Sequence, residues 1–176
     1  MTRSSGCYTK NIYTLLGKHM SKRSKNHQDE FMAFMNLHDV FMNASLCRSK
    51  MLHAPLPGST PEEFTLSDRG RFERMWITSL FVLVEAWRAP AMASGKAYIR
   101  SITPIDQIDK LIEQGKTDGS LTKMRNVRDY MCHRDKREYW DAGRTDVAGQ
   151  LAFHNAVHSA FSQVFLDVHD SRRGRT

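Results

Sequence analysis

An uncharged and largely apolar run from Trp76 to Val84 is the feature that most constrains the fold of this chain. Ser67 and Asp68 can cap a helix upstream of the run, and Pro90 and Gly95 can end it downstream. Between these signals, large apolar residues recur at helical spacing: Phe72, Trp76, Leu80, Leu83 and Trp87. Because the run is apolar nearly all round, we expect this helix to be central and buried on several sides.

Helical periodicity also predicts four other segments. A first helix is predicted from Asp29 to about Met51, followed by an exposed loop that begins at Pro55. The later helices are predicted over three ranges: Pro104 to Gly115, with the proline in the first turn and the glycine as the stop; about Leu121 to Arg137; and about Thr145 to Val168. No segment has the alternation of a strand, so the predicted fold is all-α, an antiparallel up-and-down bundle of four to five helices.

The length of 176 residues fits one domain with flexible ends. Residues 1–27 are predicted to be a basic, partly disordered arm, residues 28–170 the helical domain and residues 171–176 a basic tail. The net charge of +7 favours a polyanionic partner such as RNA. Solvated, flexible tails are an equally open interpretation of the two basic ends.

The cysteines, the apolar run and one histidine pair indicate the cellular location to expect and whether the chain binds a membrane or a metal. Cys7, Cys47 and Cys132 are widely spaced and odd in number, which argues against disulfides and a zinc cluster and favours a reduced, cytoplasmic location. The apolar run has only half the length of a membrane span and is stopped by Glu85, so no membrane partner is expected. His154 and His158 are four residues apart, but the sequence offers no third metal ligand beside them.

The hexad from Arg128 to His133 is the candidate site. It has an arginine, an acidic residue (Asp129), three intervening positions and a histidine. An imidazole can accept or deliver a proton near neutral pH, and a guanidinium holds a phosphate through two N–H groups. The spacing alone is weak evidence, because Arg48 and His53 repeat it just before a proline-rich breaker and without an acidic second residue.

A second segment strengthens the interpretation. Residues 83–88, Leu-Val-Glu-Ala-Trp-Arg, precede the hexad by some forty residues, and the pair resembles the motifs of small HEPN-domain proteins. The resemblance covers about residues 67–170 and departs from the family in two ways. The usual Arg-Asn pair lies one turn upstream, at Arg125 and Asn126, and Asp135 replaces a tyrosine that many toxin members carry two residues after the histidine.

The resemblance implies a metal-independent endoribonuclease that needs no cofactor. His133 would act as general base on the ribose 2′-hydroxyl while Arg128 stabilises negative charge on the phosphate, leaving a 2′,3′-cyclic phosphate. The resemblance also implies a homodimer. A ribonuclease of this kind can serve as a toxin or defence effector, which would have an antitoxin or other regulatory partner. Supporting roles fall to Asp129, Arg125, Asn126 and Glu85, and RNA contacts to Lys123, Arg134 and Arg137.

Helix geometry bears on this assignment. Asp129 and His133 are four residues apart, so the carboxylate can orient the imidazole. Arg128 lies about 140° round an ideal helix from His133, so the two converge only if the helix bends or a second subunit completes the site. Two alternatives stay open: a solvated, ion-paired helix face, and a non-catalytic HEPN-like module that binds RNA or protein. For Glu85, a paired residue of the core is favoured over a catalytic role.

Overall fold

A computed structural model describes residues 25–56, 60, 63, 66–133 and 150–173, without the side chains of residues 25–27 and 172. These residues form an all-α bundle, and no strand occurs among them. The described residues contain six α-helices: α1 (Lys25–His53), α2 (Asp68–Arg88), α3 (Ala93–Arg100), α4 (Asp106–Thr117), α5 (Ser120–Cys132) and α6 (Leu151–Arg173). The all-α prediction is therefore confirmed. None of the described helices has the length and apolar character needed to cross a membrane.

Helix α2 is the centre of the bundle, as its apolar run predicts. Ser67 caps it, because the Ser67 hydroxyl accepts a hydrogen bond from the Gly70 amide at 3.0 Å. The helix packs against α1, α5 and α6. Six of its side chains have no exposed surface at all: Trp76, Ile77, Leu80, Leu83, Val84 and Trp87. The buried apolar surface of these side chains drives the other helices onto α2.

Contacts between side chains fix the directions of the three longest helices. Lys50 lies near the end of α1 and stacks over Phe72 near the start of α2, so these helices are antiparallel. Phe34 in the early part of α1 contacts Phe165 in the later part of α6, with ring centroids 5.5 Å apart. Helix α6 is therefore also antiparallel to α1.

Helix α3 is an element that the sequence reasoning missed. Pro90 does end α2, but it opens a short 3-10 turn, Pro90–Met92, and α3 follows at once. Gly95 was predicted to stop a helix and instead lies buried inside α3. A Cβ atom on Gly95 would lie 2.5 Å from Cε of Met92 and 3.3 Å from Cβ of Ala33. The glycine therefore lets α3 approach α1 closely.

The same error recurs in α4. Pro104 precedes the helix, and Gly115, predicted as its stop, is buried within it. The turn to α5 is made at Gly119, which has φ of 80° and so favours glycine. A Cβ atom on Gly115 would lie 2.5 Å from Cζ of Phe153 and 2.9 Å from Cγ of Leu121. Gly115 therefore provides space for α6 and the start of α5.

Gly115→Ala is expected to destabilise the protein. Alanine gains about 1 kcal/mol of helix propensity over glycine, but overpacking a tight contact costs about 1–3 kcal/mol. We expect a net loss of about 1 kcal/mol in the free energy of unfolding, measured by urea denaturation. The control is Gln114→Ala, at an exposed position of the same helix. A Gly115→Ala protein that is more stable than wild type would contradict this account of the packing.

Several helix ends differ from their predicted positions. Helix α1 begins at Lys25, within the segment assigned to the arm, and α6 reaches Arg173, within the segment assigned to the tail. Helix α5 ends at Cys132 and not at Arg137, because His133 has φ of −128° and ψ of 48°. The predicted start of the last helix at Thr145 lies outside the described residues, as do residues 1–24 and 174–176.

Candidate functional site

Arg128 lies at the seam between α5 and α2. Its guanidinium carbon is 5.0 Å from the centroid of the Phe81 ring, which supports the side chain by a cation–π contact. Its NH1 atom is 3.6 Å from Oε2 of Glu85, one turn further along α2. The side chain is 29% exposed. Two residues of α2 therefore hold the guanidinium at the surface in a defined position.

Asp129 adds a second acidic contact to the same guanidinium. Its Oδ1 atom lies 2.6 Å from Nε of Arg128, although the N–H group is not aligned for a hydrogen bond. The sequence reasoning assigned this carboxylate to the His133 ring and did not foresee the contact with Arg128. One guanidinium thus faces two carboxylates, so much of its positive charge is compensated locally.

His133 is the exposed residue at the C-terminal end of α5. Its backbone N–H donates to the carbonyl of Asp129 at 2.8 Å, and its backbone angles leave the helix. The chain leaves the helix at His133, directly after this last intrahelical hydrogen bond. Convergence of His133 with Arg128, through a bend or a second subunit, stays a prediction.

The other predicted residues vary in exposure. Arg125 is exposed, whereas Lys123 and Asn126 are half-buried, all on α5. Glu85 is 47% exposed, at the rim of the core and not inside it. Arg134 and Arg137, assigned to RNA binding, lie outside the described residues. The structure thus brings Arg128, Asp129 and Glu85 into contact and leaves His133 at the adjoining helix end.

A second polar cluster surrounds Trp76, and the sequence reasoning did not recognise it. His154 and His158 of α6 both face the Trp76 ring, with centroid distances of 6.0 and 6.1 Å. The His154 side chain has no exposed surface, and neither ring nitrogen has a hydrogen-bond partner. Burial lowers the pKa of His154 to about 4, because a charged imidazole is poorly solvated there.

Arg48 and His158 complete this cluster at the seam between α1 and α6. The Arg48 guanidinium donates to Oδ1 of Asn155 from Nε at 3.3 Å and from NH2 at 3.1 Å. Burial and the charge of Arg48 together lower the pKa of His158 to about 4. The repeated spacing of Arg48 and His53, together with the i, i+4 histidine pair, was the only sequence signal of this cluster.

Neither cluster has the composition of a metal centre. Across the described residues, no group of three or more His, Cys, Asp or Glu side chains is arranged to hold a metal ion. The chain matches no family model, no curated protein and no solved structure. The HEPN resemblance therefore rests on residues 83–88 and the hexad alone.

Proposed function

We propose that this protein is a metal-independent endoribonuclease of the HEPN type. In this proposal His133 takes the proton of a ribose 2′-hydroxyl, which attacks the neighbouring phosphorus. Arg128 stabilises the negative charge that develops on the phosphate oxygens. The bond from phosphorus to the 5′-oxygen breaks, and this oxygen takes a proton from water, which leaves a 2′,3′-cyclic phosphate and a 5′-hydroxyl. The observation that supports it best is the exposure of His133 at the end of the helix that carries Arg128.

The contacts of Arg128 suggest how such a site would work. Phe81 and Glu85 belong to the rigid central helix, so they can keep the guanidinium in place while a substrate binds. Asp129 adjoins Arg128 on the same helix, and its carboxylate must yield when a phosphate takes its place. Glu85 is then a positioning residue, and Asp129 is a group that the RNA phosphate displaces.

The proposal includes a homodimer in the cytoplasm. Met75 and Val82 of α2 are 38% and 40% exposed and lie two turns apart, and Val82 is one turn before Glu85. Exposed apolar side chains on one helix face are suited to contact another protein chain. A second copy on this face would lie close to Arg128, and an antitoxin or other regulatory partner could use the same surface.

The proposal is tested by incubating wild type, Arg128→Ala and His133→Ala with a mixed RNA pool in excess chelator. A general base and a donor that stabilises transition-state charge each contribute about 100-fold or more, so each variant should lose at least that much cleavage. Matched controls are Arg71→Ala and His53→Ala, since both residues are exposed. Fragments of wild type should end in cyclic phosphate, and DNA should stay intact because it lacks the 2′-hydroxyl. Equal cleavage by all five proteins would refute the assignment.

A non-catalytic module that binds RNA or protein is the second candidate. The two carboxylates beside Arg128 favour it, because a neutralised guanidinium is a weak phosphate ligand. Intact RNA after incubation with correctly folded wild type, together with salt-sensitive RNA binding, would favour the module over the nuclease.

A further inference from the structure

Arg48 and Arg128 differ in the acidic side chains that the described residues place beside each guanidinium. No carboxylate of the described residues forms an ion pair with Arg48, whereas Arg128 contacts both Glu85 and Asp129. The Arg48 side chain is half-buried at the seam between α1 and α6. A half-buried charge without a counter-ion attracts anions more strongly than a solvated one, because water screens it less.

Neutral groups hold the Arg48 guanidinium in place. Asn155 accepts hydrogen bonds from Nε and NH2 through its single Oδ1 atom, at 3.3 and 3.1 Å. The guanidinium carbon is 5.8 Å from the centroid of the Trp76 ring. Since a guanidinium has five N–H groups, most of its donors stay available for another acceptor. Asn155 and Trp76 therefore orient the Arg48 side chain, and neither of them carries a negative charge that would offset the guanidinium.

Ser45 and His158 provide further polar groups beside this guanidinium. The Ser45 hydroxyl and Nε2 of His158 are 3.2 Å apart, and both side chains are half-buried. The His158 ring and the Arg48 guanidinium also lie against the same Trp76 ring, at 6.1 and 5.8 Å from its centroid. A hydroxyl, an imidazole and a guanidinium on adjoining helices are the donor types that bind oxyanions.

We propose that Arg48, Asn155, Ser45 and His158 form a binding site for a phosphate-type oxyanion, either a backbone phosphate of a nucleic acid or a free phosphate group. Arg48 supplies the charge, Asn155 orients it, and Ser45 and His158 supply neutral hydrogen bonds. The site is separate from Arg128 and His133 and does not depend on whether the protein cleaves RNA.

A purely structural role makes a different prediction for Asn155→Asp. If the Arg48–Asn155 contact only joined α1 to α6, a carboxylate at residue 155 would preserve it. If the site binds an oxyanion, the new carboxylate neutralises Arg48 and competes with the ligand. Asn155→Asp retains Arg48 and changes only one side-chain group, so loss of binding in a folded protein cannot be ascribed to unfolding.

The test follows the NMR signals of the His158 ring during titration with inorganic phosphate against chloride at constant ionic strength. Wild type should show saturable shifts and a rise in the pKa of His158, because a bound anion favours the protonated imidazole. Lys50→Gln removes the same charge from an exposed position of α1 and should respond like wild type. Arg48→Gln and Asn155→Asp should show at least a 10-fold loss of affinity.

Two outcomes would overturn the proposal: no saturable response in wild type, or equal responses in wild type and Asn155→Asp. A second titration with a short single-stranded DNA distinguishes the two ligand sources. Competition by the DNA with inorganic phosphate would identify a backbone-phosphate site, and its absence would identify a site for free phosphate groups. Because DNA has no 2′-hydroxyl, neither titration depends on cleavage, and the failure of one proposal leaves the other unaffected.

Discussion

Acidification from pH 7 to pH 5 is expected to lower the free energy of unfolding by about 3 kcal/mol through two histidines. Both His154 and His158 have a pKa of about 4 in the fold, against an unperturbed value of 6.5. One pKa unit corresponds to about 1.4 kcal/mol, so His154 should contribute about 2 kcal/mol of the loss at pH 5. His158 is less buried, and solvent screening reduces its share to about 1 kcal/mol.

The sign follows from the neutral state of the buried rings. Below pH 6.5 the unfolded chain binds protons at these two residues while the folded chain does not, so protonation favours unfolding. The contribution of the two neutral rings to the free energy of unfolding is therefore fully present above pH 6.5 and is lost progressively as the pH falls towards 4. Burial raises the pKa of Glu73, and this acts in the opposite direction.

Urea denaturation of wild type and His154→Leu between pH 7 and pH 5 measures the effect of His154 directly. The leucine removes two ring nitrogens that lack hydrogen-bond partners, so the variant should be more stable at pH 5 and its pH dependence weaker by about 2 kcal/mol. Ser159→Ala, at an exposed and non-titratable position of the same helix, should leave the pH dependence unchanged. An unaltered pH dependence in His154→Leu would show that this ring does not couple protonation to folding.

Trp87→Ala is expected to lower the free energy of unfolding by about 3–5 kcal/mol, the usual cost of removing a large core side chain. The Trp87 side chain has no exposed surface and contacts three other helices. Its Nε1 donates to Asp109 of α4 at 2.8 Å, and its ring contacts Phe161 of α6 at a centroid distance of 5.5 Å. Nζ of Lys96 in α3 lies 4.6 Å from the ring centroid.

Thermal and urea unfolding of Trp87→Ala, Trp87→Phe and Arg71→Ala separates the loss of the ring from the loss of its hydrogen bond. Trp87→Phe keeps an aromatic ring but leaves Asp109 without its indole donor, so an intermediate loss is expected. Arg71→Ala removes an exposed side chain on the same helix and should cost less than about 1 kcal/mol. If Trp87→Ala lost no more stability than Arg71→Ala, the central position of α2 would be contradicted.

Much of the fold was predictable because apolar periodicity and caps act locally. The burial of α2 followed from its apolar run, and the cap at Ser67 followed from the chemistry of its side chain. Gly95 and Gly115 were interpreted wrongly because a buried glycine and a helix-ending glycine look alike in sequence. Only the packed neighbours, Ala33 for one and Phe153 for the other, distinguish the two uses.

The candidate site was predictable only within one helix. The sequence reasoning assigned Arg128 and His133 to a single helix, and the structure has Arg128 inside α5 and His133 at its end. It did not foresee that Asp129 contacts Arg128, because residue spacing does not fix which partner a carboxylate takes. The assigned roles in RNA cleavage stay predictions.

The sequence by itself determined which segments become helices and which of them is most apolar, because both depend on residues near one another in the chain. Only the tertiary structure decided which side chain each arginine meets on another helix: the Glu85 carboxylate for Arg128 and, among the described residues, the Asn155 amide for Arg48. Both arginines precede a histidine by five residues, and only Arg128 is followed by an acidic residue, Asp129. Packing gives Arg128 a carboxylate from α2 and Arg48 an amide from α6, and the electrostatics of a half-buried guanidinium depend on that neighbour.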